Sequence, residues 1–138
     1  MDKALNYLSL ARKAGAAELG EEPAGAAARA GKAYLLMAAS DCGDHTWRRA
    51  KSFAAGTDQQ AVRVPFTKDE MGMATGRTSL AIAAITDVAL ALALLKALPE
   101  PGKHQEAIAV LEAKAQRQKQ RKQEAQAHKK NVAKGKKK

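Results

Sequence analysis

Apolar residues along the first hundred positions alternate between two spacings. Ala4, Tyr7, Leu8 and Ala11 recur at i, i+3, i+4 and i+7, so a first helix is expected to run to about Ala14, with Gly15 as its stop. A short strand follows, Ala16 to Leu19, leading into Gly20. The next helix is expected to begin near Glu21. It carries Pro23 in its first turn, where a missing N–H costs least, and buries Ala24, Ala27 and Ala28 before Gly31. Tyr34 to Ala39 is apolar throughout, as in a strand covered on both faces. Asp44 is placed to cap a helix carrying Trp47, Ala50 and Ala54, closed by Gly56. Ala61 to Pro65 reads as a strand whose proline marks an end or an edge. Thr67-Lys68-Asp69-Glu70 has capping-box spacing and starts a short helix ending at Gly76. Leu80 to Ile85 is a second fully apolar strand, and Asp87 caps a last helix to Leu98, before Pro99.

Strands alternating with helices of about three turns need crossover connections, which predicts an α/β fold for residues 1–98, a three-layer α/β/α sandwich. About a hundred residues suffice to bury such a core. Residues 99–138 read as a basic tail. Beyond Leu111 its one large aliphatic side chain is Val132, and Lys, Gln and Ala dominate. Those types favour helix, so 104–129 is expected to be a solvated helix or one that orders on a partner, and 134–138 to be disordered. A coiled coil is not expected, because the seam begun by Ile108 and Leu111 fails at Gln118 and Lys122.

Charge sharpens that division. The 138-residue chain carries 24 basic and 14 acidic residues, a formal net charge of +10. Residues 113–138 hold eleven of the basic residues, among them Lys114, Arg117, Lys119, Arg121 and Lys122, against the single acid Glu124, whereas residues 1–112 balance at 13 of each sign. The excess therefore lies wholly in the tail, where nucleic-acid binding by counterion release is the expected use.

A lone Cys42 excludes a disulfide framework or a multi-thiolate metal site and fits a reducing compartment. Cys42 and His45 crowd together at the start of a predicted helix, but no third orienting group or further ligand can be named, so neither a catalytic centre, a metal site nor a cofactor is assigned. Gly72-Met73-Ala74-Thr75-Gly76-Arg77-Thr78 falls short of a nucleotide loop: its glycines are one residue too close, and a strand follows where a helix should. The longest apolar run, Val88 to Leu95, is eight residues, too short to span a membrane, and the N-terminus reads as an amphipathic segment rather than a signal peptide. Two loops could rest on a polyanion: Leu19 to Glu22 at a helix start, and Gly76 to Leu80, with one cation and two hydroxyls.

Several stretches occur together in family order: Leu8-Ser9-Leu10-Ala11-Arg12-Lys13-Ala14-Gly15, Gly20-Glu21-Glu22, Arg29-Ala30-Gly31-Lys32-Ala33, Ala38 to Asp41, Val64-Pro65, Met71-Gly72 through Gly76-Arg77, and Ile82 to Asp87. With them the chain resembles the bacterial YlxQ-like branch of the kink-turn RNA-binding ribosomal-protein superfamily (the L-seven-Ae type), over about residues 4–95. The resemblance implies an α/β/α sandwich with a four-stranded mixed sheet, RNA binding, and association with ribosomes or their assembly. It places RNA contacts at Gly20, Glu21 and Glu22, at Asp41, and at Arg77, Thr78, Ser79 and Leu80. Arg29 and Lys32 are added as phosphate contacts.

The chain departs from the family motif after Gly20. Glu22 stands where the kink-turn binders carry Asn, Pro23 where they carry Glu, and Ala26 where they carry Lys. An amide that donates and accepts has become an acceptor only, and a phosphate-neutralising cation is lost, which argues against tight recognition of the standard kink-turn. The expectation is a cytoplasmic, non-enzymatic protein with a monomeric body that binds structured RNA, with ribosomal RNA the first candidate. The competing expectation is a protein-interaction scaffold, or a nucleoid-type DNA-binding protein, whose nucleic-acid affinity resides only in the tail.

Overall fold

A computed structural model describes residues 2–136, with side chains described to residue 128. Helix α1 (Lys3–Lys13) is capped by Asp2, whose carboxylate accepts the Ala4 N–H at 2.7 Å. Strand β1 (Ala17–Leu19), helix α2 (Glu21–Arg29), strand β2 (Leu35–Ala38) and helix α3 (Asp44–Ala54) follow. Strand β3 (Gln60–Arg63), helix α4 (Lys68–Thr75), strand β4 (Ile82–Ile85) and helix α5 (Val88–Ala97) complete the alternation. A single 3-10 turn (Pro101–His104) leads into helix α6 (Gln105–Lys136).

The four strands form one mixed sheet in the order β1-β4-β2-β3. β4 runs antiparallel to both β1 and β2, and β2 runs parallel to β3. Helices α2 and α3 pack on each other and on the sheet, while α1, α4 and α5 form a second helical layer. The two central strands, β2 and β4, are buried at every position, as their continuous apolar runs predict. The edge strand β3 ends at Arg63, and Pro65 lies just beyond it.

Local signals set most boundaries. Thr67 and Glu70 close the capping box reciprocally, at 3.1 and 3.0 Å, and Asp87 accepts the Leu90 N–H at 2.9 Å. Asp44 is a correction. Gly43 is the N-cap of α3 and Asp44 its first helical residue, so its charge meets the helix dipole without capping. Leu80 and Ala81 precede β4 rather than forming part of it.

Beyond α5 the chain reverses. Glu100, between Pro99 and Pro101, adopts a left-handed conformation (φ 55°, ψ 57°), which costs a non-glycine residue about 1–2 kcal/mol. The turn lays α6 back on α5. Ala107 and Leu111 are buried there, and Ile108 and Ala115 pack against the same core, so packing continues past residue 98. The seam that cannot sustain a coiled coil instead covers the body. The helix continues through Lys134, Gly135 and Lys136, beyond the expected end near 129, and Lys137 and Lys138 lie outside the described residues. Among the described residues no helix is long and apolar enough to cross a membrane.

Candidate nucleic-acid interface

The strand directions bring three loops to one end of the sheet. β1 and β2 finish where β4 begins: the Gly20 N–H donates to Ile82, and the Ala39 N–H donates to the Ala81 carbonyl. The Gly20 loop, the Ser40–Asp41 turn and the Arg77–Leu80 loop therefore share one pole. Gly20 has φ 103°, a value closed to most side chains, and is the N-cap of α2 with no side-chain hydrogen bond. A Cβ built at Gly20 would lie 3.9 Å from a guanidinium nitrogen of Arg77, so that cation reaches across to the start of α2.

The Arg77 loop is seated on α4. Gly76 ends that helix in the left-handed region (φ 74°), and the chain turns back along it. The Arg77 N–H donates to the Gly72 carbonyl at 2.8 Å, and the Leu80 N–H to Lys68 at 3.0 Å. Gly72 permits this approach. A Cβ there would stand 2.8 Å from the Arg77 carbonyl oxygen and from the Ser79 amide nitrogen. Gly72→Ala should therefore lift the loop, because backbone atoms cannot swing aside. The overpacking costs about 1–3 kcal/mol, against roughly 1 kcal/mol gained from helix propensity. Gly25→Ala is the contrast, since its Cβ meets the ring end of half-buried Phe53 at 2.8 Å, the far end of a side chain rather than backbone. Urea unfolding should show Gly72→Ala to be the more damaging of the two, and equal stability would refute the seating argument.

Asp41 is exposed, but one of its carboxylate oxygens is engaged. It accepts the Lys68 N–H at 2.8 Å and so ties the β2–α3 turn to α4. Arg63 pins the same turn by donating to the Ser40 and Cys42 carbonyls at 3.2 and 2.8 Å. Glu21 is paired with Arg49 of α3 at 2.8 Å, which offsets one of the two acids beside the pole. Glu22 is exposed, with no ion-pair partner among the described residues. Arg77, Thr78 and Ser79 are exposed. Leu80, assigned with them from the sequence, is 3% exposed, and its side chain belongs to the core. A cation not assigned from the sequence lies beside the helix end that carries this loop. The Arg12 guanidinium, from the last turn of α1, lies 3.5 Å from where a Cβ on Gly76 would be. Its place in the Leu8–Gly15 stretch is the one sequence signal that pointed to it.

The remaining assigned residues lie elsewhere. Arg29 folds back along α2 toward Gly25, lining a shallow depression with Glu21, Pro23 and Arg49. Lys32 follows Gly31 at the opposite end of the sheet, where the Tyr34 N–H donates to Ile85, the last residue of β4. Lys114 is largely enclosed, donates to Asp58 at 2.8 Å and stands 5.2 Å from the centre of the Tyr34 ring. The Lys114 hydrogen bond, with Arg117 nearby, holds the Asp58 carboxyl below its ordinary range. Arg117 and Arg121 face this end of the body, and Lys119 and Lys122 are exposed along α6. Cys42 is buried and His45 exposed, and among the described residues no three His, Cys, Asp or Glu side chains are grouped to hold a metal ion.

No protein-family model and no curated protein matches the chain. Solved structures share its fold. A protein of unknown function from Bacillus halodurans aligns with a TM-score of 0.62 and 20% identity, over 81% of this chain and 99% of that one. The 15.5kD RNA binding protein of Giardia lamblia aligns with a TM-score of 0.59 and 20% identity, over 75% of this chain and 85% of that one.

Proposed function

We propose that the protein is a non-enzymatic RNA-binding protein acting on structured RNA, in association with ribosomes or their assembly. The observation that carries this reading is the meeting of the Gly20 and Arg77 loops at one pole, with Arg77 reaching across to Gly20 and Arg12 beside Gly76. The fold it shares with an RNA binding protein of Giardia lamblia supports the same reading. The pole offers a rigid backbone surface, two guanidinium groups and the hydroxyls of Thr78 and Ser79. Such a set grips the phosphates of a bent strand and orients it, while reading little base sequence. With Glu22, Pro23 and Ala26 in place, selection for the RNA rests on shape, and the family's side-chain contacts to the standard kink-turn are absent.

Arg77→Ala tests the reading. Arg77 is exposed, so its loss should leave stability within about 0.5 kcal/mol. Affinity for a kinked RNA should fall about tenfold, and affinity for a plain duplex by much less, as expected for one charge-assisted phosphate contact. Fluorescence anisotropy at matched salt reads both. An unchanged preference for the kinked RNA would move RNA binding to the tail and support the scaffold or DNA-binding alternative.

A further inference from the structure

The pole opposite the paired loops is also built, and it is the more cationic. α2 runs from Gly20 at the loop pole to Arg29, with Gly31 just beyond; a nine-residue helix covers about 14 Å. β2 opens beside the first residue of β3 and the last of β4, so Tyr34 and Asp58 belong to this far end. Against them α6 lays one stripe: Lys114, Arg117, Gln118 and Arg121 recur at i, i+3, i+4 and i+7. Together with Gly31, Tyr34 and Asp58 they line an open depression of about 270 Å³. Its single acid, Asp58, is already paired with Lys114, and Arg117 and Arg121 have no ion-pair partner among the described residues. Lys32 stands next to Gly31 at its margin.

The chemistry of this depression selects phosphate over base. Tyr34, the aromatic ring on which a base could stack, carries the Lys114 ammonium over its face and takes a hydrogen bond from Gln118 on its hydroxyl. What remains free is two guanidinium groups held at helical spacing on a docked helix, a geometry that suits neighbouring phosphodiesters of one strand. The two poles lie at opposite ends of the sheet, so the phosphates gripped by the loops are not those that meet Arg117 and Arg121. We infer that the far pole is a second RNA site, taking the backbone of a separate segment, so that one protein molecule bridges two RNA segments. The bridging rests on the RNA-binding role of the loop pole; the phosphate site does not.

The test uses the full chain, a kinked RNA fixed to a surface and a labelled plain duplex RNA in solution. Wild-type protein should recruit the duplex to the surface, with sedimentation showing one protein per two RNAs. In the double variant Arg117→Gln, Arg121→Gln, glutamine keeps the helix while removing both charges. Affinity for the duplex should fall at least about tenfold more than affinity for the kinked RNA, and the salt slope of duplex capture should flatten by roughly one to two. Equal capture by wild type and variant would overturn the site, and two proteins per two RNAs would overturn the bridge. Tighter capture of duplex DNA than of duplex RNA at matched salt would overturn the assignment to RNA. If kinked and plain RNA bind wild type equally, the loop reading fails, and direct titration of the duplex still decides the phosphate site: a drop of about tenfold in the double variant sustains it, and no drop removes it.

Discussion

Replacing Leu111 with alanine is expected to destabilise the whole protein by about 2–5 kcal/mol. Composition makes Leu111 one apolar residue at the head of a charged segment, where such a change would pass unnoticed. In the structure Leu111 is fully buried, with Ala107 beside it and Ile108 and Ala115 packed against the same core. The substitution therefore removes three carbon atoms from a closed contact between α5 and α6 and leaves a cavity that the packed helices close only in part. The polar ties around it are too exposed to compensate: Asp58 is 65% solvent-accessible, and pairs of that kind contribute about 0–1 kcal/mol. Denaturant unfolding of the full chain gives the value. A change within about 0.5 kcal/mol would mean that α6 contributes nothing to the folded body.

The second large effect concerns salt. Replacing every Lys and Arg of residues 115–138 with Gln, while keeping Lys114 for Asp58, removes ten positive charges without lowering helix propensity much. Each phosphate contact contributes about 0.7–0.9 to the slope of log affinity against log salt. If six to ten contacts are made, wild-type affinity should fall by about 10³–10⁵ between 50 and 200 mM salt, and the variant should lose most of that dependence. The preference for a kinked RNA should survive, because Arg12 and Arg77 are untouched. A variant with the wild-type slope would locate the phosphate contacts on the body, whose residues 1–112 carry no net charge.

What the sequence revealed and what it hid divide along the range of the interactions. The capping box at Thr67 and the cap at Asp87 are legible because their partners lie three residues away. The strands β2 and β4 are legible because burial on both faces leaves a continuous apolar run. Asp44 was misplaced by one position because Gly43 adopts the extended backbone of an N-cap without offering a side chain. The docking of α6 was hidden, since Lys114 meets Asp58 across 56 residues and no local pattern announces it. At the candidate site, the grouping of the Gly20, Asp41 and Arg77 loops came from the family resemblance. Arg12 was missed because its contact with Gly76 joins two helices. The burial of Leu80 was hidden because its loop context suggests exposure, while the bond from its N–H to Lys68 holds it close against α4.

The left-handed turn at Glu100 bears on how fast the protein finds its ligand. By folding α6 onto α5 it fixes the heading of the helix beyond Gln118, and from there to Lys136 a helix extends about 27 Å. At physiological ionic strength a surface charge is felt over only about 8 Å. A cationic rod several screening lengths long meets a polyanion before the neutral body can, which widens the capture radius and raises the encounter rate. A segment reeled in along that rod arrives from one direction, already aligned with Arg121 and Arg117. On the proposed reading, the strained residue of this turn acts on the kinetics of approach, at a distance from the groups assigned to hold the RNA.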